Sequence, residues 1–313
     1  MTDLKDRSER IKAKALELGF LACGISEAVF LEEEASRLEQ WLRHGKHGEM
    51  GYMTNHFDLR TDPRQLVPGA KSVISLAYNY YTPGKQTDPE APKLSTYAYG
   101  RDYHKVIKQR MKPLMAFITG AFGEVAMRCF TDSAPVLEKA WAERSGIGWR
   151  GKHSLIIRKG QGSFFFLAEI ILDLELAPDA PATDHCGTCR RCIEACPTDA
   201  IDLYGINASK CISYFTIELR NEIPADAGDF KNWAFGCDIC QQVCPWNRFS
   251  TPHQEPDFNP KPELMELTAD AWHNLGEARY EELFYGSPVK RTKYAGLMRN
   301  LRYLRKWPRT LWP

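Results

Sequence analysis

The sequence predicts an α/β (α+β) domain, then a compact cysteine-rich domain, then a short helical tail, and three observations lead there. Strand and helix signals alternate up to about residue 175. A short proline-rich stretch, Ala177-Pro178-Asp179-Ala180-Pro181, ends that alternation. Beyond it, eight of the ten cysteines crowd between Cys186 and Cys244. The domain bounds expected from these changes of character are 1–176, 177–258 and 259–313.

In chain order, the first 45 residues read as helical. Ile11, Leu16, Leu18, Leu38, Trp41 and Leu42 fall near the helical period, and Gly19, Gly24 and Gly45 punctuate it. The apolar run VISLAYNY at 73–80, bounded by Pro68-Gly69 and Pro83-Gly84, reads as a buried strand. An amphipathic helix is expected over 102–121, with Val106, Met111, Leu114, Phe117 and Ile118 on one side. Strands follow at 125–130, 154–157 and 164–172, with a helix over 134–144 between the first two. The segment from 259 onward is richer in helix formers, and no period of solenoid length repeats along the chain.

Composition narrows the function. Hydrophobic residues at 43% and charged residues at 26% suit a folded protein and exclude a chain disordered throughout. With 41 Lys and Arg against 40 Asp and Glu, attraction to nucleic acid must come from a local patch. The charged start Met1 to Arg10 lacks the apolar core of a signal peptide, and no apolar stretch is long enough to span a bilayer. A reducing cytoplasm is therefore expected, and in that compartment clustered cysteines point to metal rather than disulfides.

The cysteine spacing is specific. Cys186-x2-Cys189-x2-Cys192-x3-Cys196-Pro197 matches the bacterial ferredoxin pattern for a 4Fe-4S cluster. Cys237-x2-Cys240-x3-Cys244-Pro245 is a second run lacking its leading cysteine, and Cys211 stands between the two to fill that place. Each iron of a cubane needs one thiolate, so eight cysteines serve two clusters in a ferredoxin-like segment. In two-cluster ferredoxins the cysteine before proline ligates the other cluster. By that rule cluster one takes Cys186, Cys189, Cys192 and Cys244, and cluster two takes Cys196, Cys211, Cys237 and Cys240. Two structural zinc knuckles are the alternative, but zinc has no need of the triple spacing. Cys23 and Cys129 read as core thiols.

Two clusters deliver single electrons and perform no chemistry on an organic substrate themselves. What they serve is suggested by a resemblance that covers nearly the whole chain. The motifs are Arg60-x-Asp62-Pro63, Leu66-Val67-Pro68-Gly69-Ala70-Lys71-Ser72-Val73 and Tyr99-Gly100-Arg101-Asp102-Tyr103-His104. With them stand Asp132-Ser133-Ala134-Pro135-Val136-Leu137-Glu138, Gly148-Trp149-x-Gly151-Lys152 and Cys237-Asp238-x-Cys240-Gln241-x-Val243-Cys244-Pro245-Trp246-Asn247. Gly286-Ser287-Pro288-x-Lys290-Arg291 and Gly296-Leu297-x-Arg299-Asn300 complete the set. Together they resemble the epoxyqueuosine reductases, enzymes of tRNA wobble-base modification. Longer family members carry a carboxy-terminal helical-repeat extension that lies outside these 313 residues.

The resemblance implies a cobalamin in the amino-terminal domain beside the clusters. No DxHxxG motif offers a histidine for cobalt, so cobalamin without a protein histidine ligand is expected. The family's proton donor is the aspartate of its DxAPxxE stretch, here Asp132. From local sequence alone Asp132 reads first as a helix N-cap, with Ser133 an equally good candidate. A closed apolar pocket is expected to raise the pKa of an acid in that role. Lys152, His153 and Ser154 of the GWRGKHS loop, with Arg60, Tyr99 and Asp238, are the expected corrin contacts.

From Val289 onward there are eight Lys or Arg and no acid: Lys290, Arg291, Lys293, Arg299, Arg302, Arg305, Lys306 and Arg309. Tyr294, Tyr303, Trp307 and Trp312 are interspersed. A basic run is often only a solvated helix face. Aromatics among cations also suit stacking on unpaired bases, which fits an anticodon loop. Lys290, Arg291, Lys293, Arg299 and Arg302 are the expected tRNA contacts. The whole reads as a monomeric cytoplasmic oxidoreductase that reduces epoxyqueuosine to queuosine in tRNA, fed by an external low-potential electron donor. The alternatives are a reductive dehalogenase-like cobalamin enzyme and a ferredoxin-type electron carrier.

Overall fold

The structure is a computed structural model that describes residues 2–203 and 205–306. Its amino-terminal half is built on a four-stranded sheet, ordered Ala22–Glu27, Ser72–Asn79, Phe165–Leu172, Met127–Phe130. Every pairing is antiparallel, so the expected alternation of strand and helix resolves as α+β rather than as parallel βαβ units. The two central strands are apolar along nearly their whole length because helices cover both faces.

On one face Ile74, Leu76, Tyr78, Phe166, Ala168 and Ile170 meet helices Thr2–Glu17 and Tyr103–Phe122. The second helix presents Val106, Met111, Leu114 and Ile118, and Asp102 caps it by accepting the His104 N–H. On the other face Val73, Ile171 and Phe130 pack against Leu31, Leu66 and Trp141.

Two expectations are corrected. The first 45 residues are not helical throughout, because strand Ala22–Glu27 separates helices Thr2–Glu17 and Glu32–Arg43. This short apolar run gains a full ladder against Ser72–Asn79, an arrangement that local periodicity does not reveal. The helix expected over 134–144 is confined to Glu138–Arg144. Ala134 precedes Pro135, and the proline ring steers the preceding residue away from helical torsions. The proline-rich stretch after 176 is tied down as well. Asp179 Oδ2 accepts the Ile25 N–H at 2.9 Å, and the Asp179 N–H donates to the Ile25 carbonyl at 2.8 Å.

The carboxy-terminal half shares a second apolar core that draws on distant segments. Phe215, Phe230, Trp233 and Phe235 of the cysteine-rich region pack with Trp272, Tyr280, Leu297 and Leu301 of the tail, and with Leu94 and Ala98 from the first half. Trp233–Phe235 pairs in parallel with Lys93–Leu94. Among the described residues no helix is long and apolar enough to cross a membrane.

Gly24 marks a close approach, because a Cβ there would collide with the main-chain oxygen of Ser145 at the end of helix Glu138–Arg144. Gly24→Ala is expected to destabilise the protein by about 2–3 kcal/mol through this overpacking. Equilibrium denaturation checks it, and an unchanged midpoint would contradict the approach.

Candidate active site and cluster-binding region

The cysteines fall into two sets. Cys186, Cys189, Cys192 and Cys244 line one cavity together with Lys152, His153 and Trp246. The Cys192 thiol is pushed up first by burial and then by Cys244, Cys186 and Cys189. Cys240 is raised likewise by burial and by Cys211, with Cys196 further off, and Cys211 and Cys240 both act on Cys237. Thiols crowded and buried in this way need cationic charge to hold them as thiolates, which iron supplies. All ten cysteines are free of disulfides. The Trp149 indole donates to Cys186 Sγ at 3.5 Å and the Ala200 N–H to Cys196 Sγ at 3.3 Å, the kind of bond that tunes cluster sulfur. The donor set therefore fits two cubanes.

Asp132 follows strand Met127–Phe130 in a loop and takes a left-handed backbone with φ of 48°. Three groups hold it there. The Tyr103 hydroxyl donates to Oδ2, His104 Nε2 lies 3.6 Å from the same oxygen, and the Asp132 N–H donates to Glu138 Oε1. Asp132 is therefore not the cap of the following helix, whose N-cap position is Leu137. Its side chain is 60% exposed although protein crowds around it, so it lies in a cleft rather than in the core. Lys139, also exposed and also surrounded, shares that cleft. Its polar groups, the Asp132 carboxyl, the Tyr103 hydroxyl and Lys139, are of the kind that meets the amide rim of a corrin.

The expected rise in the pKa of Asp132 is corrected. Desolvation pushes the carboxyl up, but hydrogen bonds from His104 and Tyr103 outweigh it and hold the group below its ordinary value. The proton sits instead on its neighbours. Burial works against a charged His104, yet Asp102 and Asp132 together lift it to about 9. Burial and the Asp132 charge raise Glu138 to about 8. Behind it Glu169, fully buried on strand Phe165–Leu172, is raised well above the usual range by burial and by Glu138. Neither Glu169 oxygen meets a donor among the described residues.

Several expected corrin contacts are committed elsewhere. Lys152 Nζ donates to the carbonyls of Gly187 at 2.7 Å and Cys189 at 2.9 Å, so it braces the first cysteine loop. The Asp238 carboxylate is buried and accepts bonds from Ser95 Oγ and from Thr96 N–H and Oγ1, which makes it a clamp rather than a corrin contact. Arg60 donates to the carbonyls of Tyr52 at 2.9 Å and Asn55 at 3.2 Å, shaping its own loop. Tyr99 lines a separate concavity with Arg101, Asp257 and Phe284. Ser154, with φ of 63°, turns the GWRGKHS loop. His153 is buried with Nε2 lacking a partner, and burial with nearby Lys139 depresses it to about 4. A neutral, unpartnered imidazole nitrogen remains available to a cofactor.

Among the tail cations, Arg299 is corrected most plainly. It is 4% exposed and donates to the carbonyls of Phe215, Leu219 and Asn221, leaving no face for RNA. Lys290 pairs with Glu281, and Arg291 with Glu218 at 2.9 Å. Arg291 also lies over the Tyr52 ring at 5.9 Å, close enough to the cleft for the Asp132 charge to act on it. Lys293 and Arg302 are exposed. Trp307, Arg309 and Trp312 lie outside the described residues.

Tyr103, His104, Glu138 and Glu169 are the functional groups that sequence reading left without a role. The first three stood inside quoted motifs. Glu169 had a signal of its own as the one charge in the apolar run FFFLAEIIL.

A sheet whose loops carry an acid in an open cleft, joined to paired cysteine sets, defines a two-cluster iron–sulfur oxidoreductase. Comparison with known proteins gives the family. Residues 60–133 match the family model for epoxyqueuosine reductase QueG, and residues 185–247 match a 4Fe-4S double cluster binding domain. The epoxyqueuosine reductase of Cellulophaga algicola is 58% identical over 97% of this chain and all of its own length. That of Escherichia coli is 41% identical over 96% of this chain and 80% of its own. A crystal structure of a selenomethionine-labelled epoxyqueuosine reductase superposes with a TM-score of 0.86 at 27% identity, covering 95% of this chain and 80% of that one. Another, with an epoxyqueuosine-modified tRNA stem loop, gives 0.82 at 27% identity over the same shares. The chain belongs to the epoxyqueuosine reductase family.

Cys211 stands apart from both cysteine runs, so it tests the partition most cleanly. The anaerobically prepared protein is expected to hold about eight irons, and Cys211→Ala to lose up to about half of them from cluster two. Iron analysis with paramagnetic resonance reads both, and stoichiometric zinc would contradict the partition.

Proposed function

We propose that the cleft around Asp132 is where this chain reduces epoxyqueuosine to queuosine at the wobble position of tRNA, with Asp132 protonating the oxygen that leaves. The observation that carries this reading is the carboxyl of Asp132, held on a left-handed loop, open to the cleft and bonded by Tyr103 and His104. A Bacillus subtilis epoxyqueuosine reductase has been captured with its catalytic aspartate loop swung out of the active site, which supports assigning the same role to this loop. Cobalamin held there would supply the low-potential reducing chemistry, with the two clusters passing it electrons.

This chain's own residues do the rest. Residues 1–176 carry the cofactor and Asp132, 177–258 the clusters, and 259–313 the part that meets RNA. His153 Nε2 and Lys139 are the groups left to hold the corrin's edge. Cluster two is the nearer one, because the charge of Cys240 acts on Tyr80 and Lys139. The cysteines of cluster one line a cavity with the exposed His185 and Arg191, which turns that cluster towards an external donor. Tyr52, 44% exposed beside Arg291, is placed to stack on a base entering the cleft. Lys293 and Arg302 meet phosphates. The reading places the protein in the cytoplasm as a monomer. The reductive dehalogenase structures are too remote to inform this chain.

Two experiments test this reading. Asp132→Asn keeps the size and hydrogen bonding of the side chain but carries no proton. It is expected to retain cobalamin and both clusters while turnover falls by roughly 10²- to 10⁴-fold, read by mass spectrometry of tRNA nucleosides. Near-normal turnover would remove Asp132 from the chemistry. Lys293→Glu with Arg302→Glu is expected to weaken binding of the modified stem loop and to flatten its salt dependence by roughly one to two counterions, with iron content unchanged. An unaltered salt slope would make those cations a solvated surface only.

A further inference from the structure

Converting an epoxide to an alkene consumes two electrons and two protons. Both carbon–oxygen bonds break, and the oxygen leaves as water. The electrons come through the clusters from an external low-potential donor. Asp132 holds at most one proton, so a single acid in the cleft must be reloaded within each turnover.

Two side chains touch its carboxyl. Tyr103 donates a hydrogen bond, but burial and the Asp132 charge push its phenol far up, making it a poor source of a proton. His104 is differently placed. Its Nδ1 lies 2.6 Å from Asp102 Oδ1, and its Nε2 lies 3.6 Å from Asp132 Oδ2. The ring stacks on Tyr103 at 4.1 Å, which fixes its plane. Its side chain remains 31% exposed, so it reaches solvent as well as the cleft. Asp102 already caps helix Tyr103–Phe122 through the His104 N–H. A cap needs only that backbone bond. A ring bridging the capping acid to an acid on another loop is additional.

We infer that His104 is a proton relay that reloads Asp132 from solvent between the two protonations of each turnover, oriented by Asp102. The inference rests on Asp132 being the donor. In sequence, the Asp132 carboxylate, ionised at rest, takes the Nε2 proton of His104 and gives it to the epoxide oxygen as the first carbon–oxygen bond opens. His104, reprotonated from water, then loads the Asp132 carboxylate a second time. Asp132 gives the second proton to the departing hydroxyl. His104 is thus a positioning and relay residue, since it touches the acid and not the substrate.

The charges around His104 agree with a loaded relay. Asp102 and Asp132 face it directly, and Lys105 acts on Asp102 from the same helix. Glu138 feels His104 from the next helix, and Lys139 acts on Asp132. Lifted to about 9, the imidazole carries its proton at neutral pH and loses it as pH rises through that value.

In the holoenzyme, His104→Gln keeps a hydrogen-bonding side chain without a titrating proton. It is expected to lower kcat about 10- to 100-fold near pH 8, with KM for the modified stem loop unchanged, and to abolish the alkaline limb near pH 9 of the wild-type profile. Independently of turnover, nitrogen NMR of histidine-labelled protein should show His104 titrating at about 9, and lower in Asp102→Asn. Wild-type kcat in His104→Gln across the pH range, or a His104 that titrates at an ordinary histidine value, overturns the relay. An inactive Asp132→Asn beside a fully active His104→Gln sinks the relay alone, whereas a fully active Asp132→Asn sinks the donor assignment itself.

Discussion

The buried carboxylate of Asp238 is the tie on which the arrangement depends. It lies between two cysteines of cluster two and accepts bonds from Ser95 and Thr96, which belong to the other half of the molecule. A carboxylate taken out of water costs several kcal/mol unless its lone pairs are satisfied. Burial raises this one, and the bonds from Ser95 and Thr96 pull it back. Beside it the parallel pairing of Trp233–Phe235 with Lys93–Leu94 repeats the attachment in main-chain hydrogen bonds. The cluster loop cannot move relative to segment 93–99 without stranding a buried charge. That holds Cys240 near enough to Tyr80 and Lys139 for its charge to act on both.

The same segment governs the proton side. Residues 98–104 run from this tie into helix Tyr103–Phe122, and the tail holds them from outside. The Asp102 N–H donates to the Gly286 carbonyl at 2.6 Å, the Arg101 N–H donates to the Asp257 carbonyl at 2.7 Å, and Arg101 pairs with Asp257 at 2.8 Å. Gly100 is needed because a Cβ there would run into the main chain of Phe258. Tyr103 and His104 therefore reach Asp132 from a rigid base, with Tyr103 stacked on Phe166 of the central sheet at 4.2 Å.

The acid chemistry differs from that of a lone carboxylic acid in an apolar pocket. Asp132, Glu138 and Glu169 form a descending series from cleft to core. Each deeper member is harder to ionise, because burial disfavours the charged form and the Asp132 charge adds to it. The outermost acid is the one kept ionised, since His104 and Tyr103 stabilise its anion. A neutral Glu138 can still accept the Asp132 N–H and hold the left-handed turn.

Short-range chemistry was legible in the sequence. Cysteine spacing specifies the cluster type because one loop must wrap several corners of a cube, and the ferredoxin-like segment, strand 73–80 and helix 102–121 follow from local spacing and periodicity. Asp132 stood out in the sequence only through its motif. Strand Ala22–Glu27 was missed because its stability comes from pairing with Ser72–Asn79, some fifty residues away. The tail's cations read as one basic run, yet tertiary packing divides them. Arg299 is turned inward by the carbonyls of Phe215, Leu219 and Asn221, while Arg302, three residues on, faces solvent. Lys152 and Asp238 stand in motifs that pointed to a cofactor, but both are used to brace the cluster loops. Local sequence determines which groups can ligate, cap or ionise. Only the folded chain decides which of them meet, because burial and partners from distant segments set where each charge can exist.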